Sequence, residues 1–385
     1  MRATDASPGG TSEAAERLRR CSAVLTHHWL VRRRGGERVL EALAELLPGA
    51  PVYTLVHRSR PGQPPARLDG HAVLASPLSW LPGAGRWYPA LLPLMPLAAR
   101  LMCLPPVDLV VCSDAAIAKA MRVDRRSRLV CYCHSPMRYV WEPHIAEQYA
   151  QTLPALLRPT WRAVCARVRR ADYDAAQRVD CFVANSRTVA RRIERFYGRP
   201  SEVVHPPVDI PPPPPANRRE NFYLCVGRHV AYKRLDLAVE ACEQLGCRLV
   251  VIGDGPDAVR LARGRKSGAV TFLGYQSDEV IRQHYAPARA LLFPGEEDFG
   301  IVPVEALAHG CPAIAYGVGG AAETVADGRT GVLFDAQTVA GLATAITRFE
   351  GLTFDAAVLH EHARGFSRER FQYEMAAILS RVLSQ

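Results

Sequence analysis

Short apolar runs recur along this chain, separated by stretches in which apolar residues fall three and four positions apart. In the first half the runs at 22–26, 52–56, 71–75, 109–112, 129–133 and 181–184 are too short for helices and predict strands. Between several of them lie helical patterns. In residues 37–47, for instance, Val39, Leu40, Leu43, Leu46 and Leu47 share one stripe before Pro48-Gly49 stops it. The second half repeats the scheme, with strands predicted at 222–226, 248–252, 270–273, 290–293 and 313–316. A helical pattern over 370–383 closes the chain with no strand after it. Apolar strands alternating with helices predict the α/β class, with doubly wound parallel sheets covered on both faces.

A chain of 385 residues is long for one core, and its composition marks where it divides. Residues 206–220 read PPVDIPPPPPANRRE, and five consecutive prolines make an extended, semi-rigid segment that predicts an interdomain linker. The expected organisation is a disordered leader at 1–20, a first domain at 21–205, the linker, a second domain at 221–365 and a C-terminal helix at 366–385. Residues 87–106 are strongly apolar, but Pro89, Pro93 and Pro96 break any long helix. Two readings stay open for this stretch: a segment dipping into a membrane surface, with Trp87 and Tyr88 at headgroup level, or a core helix under the sheet.

Charge adds an asymmetry. The net charge is +10, yet residues 1–204 hold 30 Lys and Arg against 17 Asp and Glu, and the remainder 18 against 21. A basic first half suggests an anionic partner there, such as a membrane surface, while no aromatic-interleaved arginine patch or recognised module points to nucleic acid. Only Lys119, Lys233 and Lys266 are lysines. Eleven cysteines without a C-x-x-C pair fit a reducing compartment. With no signal-peptide pattern and no run of membrane-spanning length, a cytoplasmic location is expected.

The candidate chemistry sits at strand ends. From Pro294 to Gly320 the sequence PGEEDFGIVPVEALAHGCPAIAYGVGG predicts loop, helix, strand and Gly-Gly turn, with Pro303 in the first helical turn and Gly310 at its end. Glu297 in the loop and Glu305, expected in the first turn, are eight positions apart. Helical periodicity alone would not align them, but a glycine- and proline-bearing loop lets both reach the crevice at the strand's C-terminal end. Arg228 and Lys233 follow the first strand of the second half beside Gly227, and two cations so placed suit a diphosphate. The Gly253-Asp254-Gly255 turn lacks the third glycine of a dinucleotide fingerprint, Ala258 standing there instead. In the first half, His134 leaves a strand end and Arg138, Tyr139 and Trp141 follow it. Asn185-Ser186 predicts a helix cap.

The Pro294–Gly320 stretch resembles the donor-site signature of the retaining family 4 glycosyltransferases, whose hallmark is two glutamates separated by seven residues. More narrowly, EEDFGIVPVEALAHGCPAIAYGVGGAAETV is similar to bacterial mannosyltransferases of O-antigen and exopolysaccharide synthesis, and His134-Ser135-Pro136-Met137-Arg138-Tyr139 resembles their H-x-P-x-R-Y motif. The resemblance covers about residues 21–380 and implies a GT-B fold, two facing Rossmann-like domains with the active site in their cleft and the C-terminal helix crossing back to the first domain. It implies a metal-independent, cofactor-free hexosyl transfer from a nucleotide sugar, GDP-mannose by the branch, to a lipid-linked saccharide at the inner face of a bacterial membrane. Arg228 and Lys233 would stabilise the leaving diphosphate, and Glu297 and His134 would reach the sugar. Glu305 would accept from the ribose hydroxyls. The backbone of Phe299, Gly300 and Ile301 would hold sugar and phosphate, and Gly274-Tyr275 the nucleobase. Gly35-Gly36-Glu37 resembles the family's glycine loop, with Gly36 near the donor, although many relatives carry an additional Ala before the Glu. Arg138, Tyr139 and Trp141 would meet acceptor or sugar. A UDP-hexose donor, an epimerase or hydrolase on the same fold, and a non-catalytic nucleotide-binding subunit stay open as alternatives.

Overall fold

In the computed structural model the described residues are 14, 16–58, 66–151, 153–213, 219–263 and 268–385. Most of the expected leader, and 214–218 of the expected linker, lie outside them. The chain divides into two units, one running to Pro207 and including Glu369–Gln385, the other Val208–Arg368.

The first unit is built on a seven-stranded sheet in the order β3-β2-β1-β4-β5-β6-β7. Its strands are β1 (Ala23–Leu30), β2 (Val52–His57), β3 (Val73–Ala75), β4 (Leu109–Asp114), β5 (Arg128–Cys133), β6 (Cys181–Ala184) and β7 (Glu202–Val203). Every pairing is parallel. β1 runs on through His27 and His28, where the apolar pattern breaks, because both imidazoles are buried and β1 is paired with β4 as far as His27 and Ser113. The two-residue β7 is too short to leave a periodic signal.

Helix α1 (Gly35–Leu46) covers one face of this sheet, presenting Val39, Leu40 and Leu43. The last helix of the chain lies on the same face and is described with it below. On the other face, α2 (Met95–Leu101), α3 (Arg138–Trp141), α4 (Arg158–Ala176) and α5 (Arg187–Tyr197) share a second core with Cys112, Cys131 and Phe182. Residues 87–106 are divided between buried and exposed positions. In α2 Met95, Ala98 and Ala99 are buried, while Leu97 and Leu101 are 60% and 67% exposed, as is Trp87 at 59%. Among the described residues no helix is long and apolar enough to cross a membrane.

The second unit has a six-stranded parallel sheet in the order β10-β9-β8-β11-β12-β13. Its elements are β8 (Tyr223–Val226), α6 (Leu235–Leu245), β9 (Leu249–Ile252), β10 (Val270–Gly274), α7 (Asp278–Tyr285), β11 (Ala290–Phe293), α8 (Ile301–Ala308), β12 (Ala313–Tyr316), β13 (Gly331–Phe334), α9 (Val339–Glu350) and α10 (Ala356–Arg364). β13 lies outside the expected strands, its apolar run Val332-Leu333-Phe334 being only three residues long. It opens on Gly331, where a Cβ would lie 1.9 Å from the Ala313 carbonyl oxygen, so the missing side chain is what lets it close on β12. Helix α11 (Arg368–Leu383) then places Phe371, Met375, Ile378, Leu379 and Val382, at helical spacing, in the core that α1 caps in the first unit. Each such side chain contributes roughly 1.5–3 kcal/mol by burial.

The proline stretch is docked from its start. Val208 donates its N–H to the Phe366 carbonyl and is buried with Phe299, Val304, Leu307 and Leu359. His360 Nε2 lies 2.8 Å from the Pro211 carbonyl oxygen. The division between units therefore falls at Pro207, ahead of the five prolines.

One ionic network braces the end of β4. Asp114 accepts from the N–H groups of Ala116 and Ala118, and its Oδ2 is 2.9 Å from Lys119 Nζ. That ammonium is also 2.5 Å from Asp172 of α4, which in turn accepts from Trp141 Nε1 of α3 and Tyr197 OH of α5, both at 2.7 Å. Burial acts to raise the Asp114 carboxyl, but Lys119 and the backbone donors override it and hold it well below the usual range. Burial likewise pushes Asp172 up, and Lys119 only partly counters it. Replacing Lys119 by Met leaves two buried carboxylates facing each other. Lys119→Met is expected to lower unfolding stability by about 3–5 kcal/mol, read from the urea midpoint.

Candidate functional site

In the second unit the loops after β8, β9 and β10 are laced backbone to backbone. Gly227 donates to the Ile252 carbonyl, Gly253 to Gly274, and His229 to Asp254 at 2.7 Å. A Cβ at Gly253 would meet the Gly227 oxygen at 1.9 Å, and one at Gly255 the His229 oxygen at 2.2 Å. The Gly-Asp-Gly turn is thus glycine-bearing because another backbone touches it, which needs no third glycine further on. Gly274 adopts a φ of 65° at the end of β10, and Tyr275 beyond it is exposed.

Lys233 follows in a short turn, and its Nζ lies 2.9 Å from Glu297 Oε1. Burial works to lower the Lys233 ammonium, but Glu297 and, to a lesser degree, Tyr232 outweigh it and hold it above its ordinary value. A Cβ at Gly295 would come within 2.7 Å of Lys233 Cα, so this glycine lets the acidic loop lie against the lysine. Arg228 is exposed on the preceding loop. Arg234, next to Lys233, is the one non-glycine residue with positive φ (50°) among those described.

The acidic loop after β11 is clasped from its other side by Gly319-Gly320. Gly319 bridges Glu297, Gly320 donates to the Glu297 carbonyl at 2.8 Å, and a Cβ on Gly320 would strike Phe299 Cα at 2.2 Å. The Phe299 ring is buried among Val208, Leu307 and Phe366, which anchors its backbone. Gly300, at φ 86°, turns the chain into α8, which begins at Ile301, two residues before the expected Pro303. Glu305 therefore stands in the second turn, not the first. Pro303 still fits, because first-turn N–H groups have no intrahelical partner. The Glu305 carboxylate accepts from the hydroxyl of Tyr285 on α7 at 3.3 Å, a contact without any motif to announce it.

The first unit gathers its candidates at the C-terminal ends of β1, β4 and β5. His134 donates its backbone N–H to the Asp114 carbonyl, and its Nε2 is 2.8 Å from Ser113 Oγ. The same hydroxyl is 3.0 Å from His27 Nδ1, and His28 Nδ1 is 3.4 Å from the Ser113 carbonyl. Three imidazoles thus surround one serine, with Gly36 against His27 and His134. Burial, then His27, holds His134 down to about 3, Asp114 pulling weakly the other way. Burial also holds His28 well below its ordinary value. Ser186 caps α5 through the Val189 N–H, as the pair Asn185-Ser186 suggests, but Asn185 instead donates to the His134 carbonyl at 2.8 Å.

Arg138, Tyr139 and Trp141 lie on α3 and are half-buried. Trp141 is turned inward, its N–H given to Asp172 and its ring stacked on Phe196 at 5.3 Å. Cys112, Asp114 and Cys131 bring three metal-type donor atoms together, yet the Lys119 ammonium already sits 2.9 Å from that aspartate and burial pushes the Cys131 thiol well up.

Residues 33–210 match the family described as Glycosyltransferase Family 4, and residues 209–365 match that described as Glycosyl transferases group 1. Taken together the two matches run over residues 33–365, and they support a glycosyltransferase family of this type. Among curated relatives, a D-inositol 3-phosphate glycosyltransferase of Mycobacteroides abscessus is 37% identical over 191 residues, 43% of each chain. A Thermus thermophilus glycogen synthase is 36% identical over 152 residues, 37% of this chain and 35% of its own. These alignments span less than half of those relatives' lengths. The fold is that of solved glycosyltransferases: HepE of Anabaena in complex with UDP and glucose (TM-score 0.63, 20% identity, 94% of this chain and 99% of that one), and sucrose-phosphate synthase of Thermosynechococcus elongatus (TM-score 0.65, 18% identity, 94% and 99%). Two doubly wound parallel units are thus the glycosyltransferase architecture expected from the residues, while the mannosyltransferase branch is a finer assignment.

Two histidines, His28 and His134, give the protein a pH signature. An unfolded histidine protonates near 6.5, whereas native His134 resists down to about 3 and His28 well below its ordinary value. Between those limits the unfolded state binds more protons, so stability is complete above about 6.5 and falls as pH drops toward 3. The melting temperature is expected to follow that fall, and His28→Leu to make it shallower; equal slopes in the two proteins would refute this account.

Proposed function

We propose that this protein transfers a hexosyl group from a nucleotide sugar to a hydroxyl, with retention of configuration and without a metal. The observation that carries the reading is the Lys233–Glu297 pair at the C-terminal edge of the second sheet. A half-buried ammonium held by one carboxylate is a pre-charged site for a more highly charged anion. An arriving diphosphate takes the lysine, which frees Glu297 to accept from sugar hydroxyls. Arg228 forks onto the phosphates from the exposed loop, and the first-turn N–H groups of α8, beginning at Gly300 and Ile301, add the positive end of a helix dipole. Glu305, oriented by Tyr285, accepts from the ribose hydroxyls, and Gly274-Tyr275 borders the base. In the first unit, Gly36, His134, Arg138 and Tyr139 serve the sugar and acceptor.

The branch resemblance favours GDP-mannose as donor. A UDP-hexose is the second reading, supported by the UDP and glucose bound in HepE. The deciding experiment is a screen of GDP-mannose, UDP-glucose, UDP-galactose and UDP-N-acetylglucosamine by thermal shift and slow nucleotide release, since a bound donor raises the melting temperature by linkage. One stabilising donor with hydrolytic release is the expected outcome; no response to any would leave only a non-catalytic role. Lys233→Ala is expected to lower turnover about 10²- to 10³-fold with far less effect on donor affinity. Equal losses in both would remove Lys233 from the departing diphosphate.

The acceptor is a lipid-linked saccharide, reached by peripheral contact with an anionic inner membrane on the cytoplasmic side. Supporting this, exposed Leu94 and Leu97 border a groove of about 570 Å³ that Arg100, Arg167 and Arg170 rim, and Leu101 is exposed on the same helix. Apolar side chains flanked by arginines suit a leaflet rich in acidic headgroups. Flotation with phosphatidylglycerol vesicles is expected to carry the protein, and Leu97→Glu with Leu101→Glu to weaken binding about tenfold. Equal binding to neutral vesicles, or none to either, would exclude this contact.

A further inference from the structure

Glu37, His27, Ser113 and His134 stand in single file in the first unit. Glu37, His27 and Ser113 are buried, at 3%, 0% and 0% exposure. Ser113 Oγ lies 3.0 Å from His27 Nδ1 and 2.8 Å from His134 Nε2. A hydroxyl has one proton, so between two ring nitrogens it donates to one and accepts from the other. Which way it points is decided at the far end of the file.

There, His27 Nε2 is buried with no hydrogen-bond partner, and Glu37 Oε1 is 3.9 Å away. The other oxygen of that carboxylate accepts from the Arg34 N–H at 2.9 Å, which pins it at the start of α1. A lone pair on Nε2 would face a negative oxygen, whereas an N–H would be attracted to it. His27 therefore carries its proton on Nε2 and offers Nδ1 as acceptor. Ser113 gives its proton to that nitrogen, and its oxygen is left to accept from His134. The proton of the His134 ring then lies on Nε2, and Nδ1 keeps its lone pair.

We propose that Glu37, His27 and Ser113 are positioning residues that set the tautomer of His134, so that Nδ1 faces substrate as a hydrogen-bond acceptor. The identity of its partner, a sugar hydroxyl, rests on the glycosyl-transfer reading; the tautomer does not. An acceptor nitrogen recognises an O–H and repels a phosphate or carbonyl oxygen, so the file is a specificity device. Burial keeps the His134 ring neutral, which is what gives it a tautomer to set. Around it, the His28 ring is 6.0 Å away with its Nδ1 directed to the Ser113 carbonyl, and the Tyr132 ring is 5.4 Å away. None of the other hydrogen bonds among the described residues ends on His134 Nδ1, which leaves that nitrogen to a ligand.

The test is nitrogen NMR on the full-length protein with labelled histidine, near neutral pH and without substrate. Wild type is expected to show His134 protonated at Nε2 and bare at Nδ1. Ser113→Ala and His27→Leu are expected to give a mixture of tautomers, while His27→Asn, whose side-chain oxygen can replace Nδ1 as acceptor, restores the wild-type pattern. A wild-type ring protonated at Nδ1, or a Ser113→Ala spectrum unchanged at His134, would overturn the proposal. The wild-type spectrum decides the direction of the file even if a variant fails to fold. With substrates, Ser113→Ala is expected to lower kcat/KM about tenfold while leaving affinity for free nucleotide unchanged. A wild type that turns over no nucleotide sugar would fall on the functional reading alone, with the tautomer still decided by the spectrum.

Discussion

Parallel strand pairing is the constraint on which the rest depends. Because parallel neighbours must be joined by crossovers, every strand in a unit ends on the same edge, and the loops leaving that edge become neighbours. The order β3-β2-β1-β4 reverses direction between β1 and β4, and β9-β8-β11 does so between β8 and β11. At each reversal the flanking loops diverge and leave a crevice. Ser113 and the histidine pair lie at the first, with His134 just beyond the end of the adjoining β5; Lys233 and Glu297 lie at the second. Residues far apart in sequence, such as His27 and Ser113 or Lys233 and Glu297, meet because strand ends meet.

Two lysines show how the same pairing chemistry serves different ends. Lys119 is enclosed by Asp114 and Asp172, each of which has further donors, and its side chain is 2% exposed. It has no room to exchange partners, so it braces β4 against α3, α4 and α5. Lys233 has one carboxylate partner and a side chain 16% exposed. Its ammonium is held, yet an anion entering from solvent can compete for it. In a chain that otherwise uses arginine, the compact ammonium is placed where a point charge suits a confined space.

The sequence legibly marked the class of fold, because buried parallel strands are short apolar runs whatever their neighbours. It also marked Glu297, Glu305, Arg228, Lys233 and His134, because each stands in a local signature at a predicted strand end. It did not mark β13, whose opening glycine matters only against Ala313, or the extension of β1 through two histidines. Neither Tyr285 beneath Glu305 nor Ser113 beside His134 carries a pattern, since each owes its role to a partner at least 20 residues away.

The amino-acid sequence by itself determined the alternation of strand and helix, where the charges cluster, and which loops carry glycine. Tertiary structure alone decided why the glycines are there: Gly253, Gly295 and Gly320 each admit another loop's backbone where a Cβ would collide. It alone joined the C-terminal helix to the core of the first unit, docked Val208 and Pro211 onto the second, and set the Glu37–His27–Ser113–His134 file. The physical reason is range. Periodicity and turn chemistry act over a few residues and are written locally, whereas close approach, burial of charge and hydrogen-bond direction depend on atoms that only folding brings together.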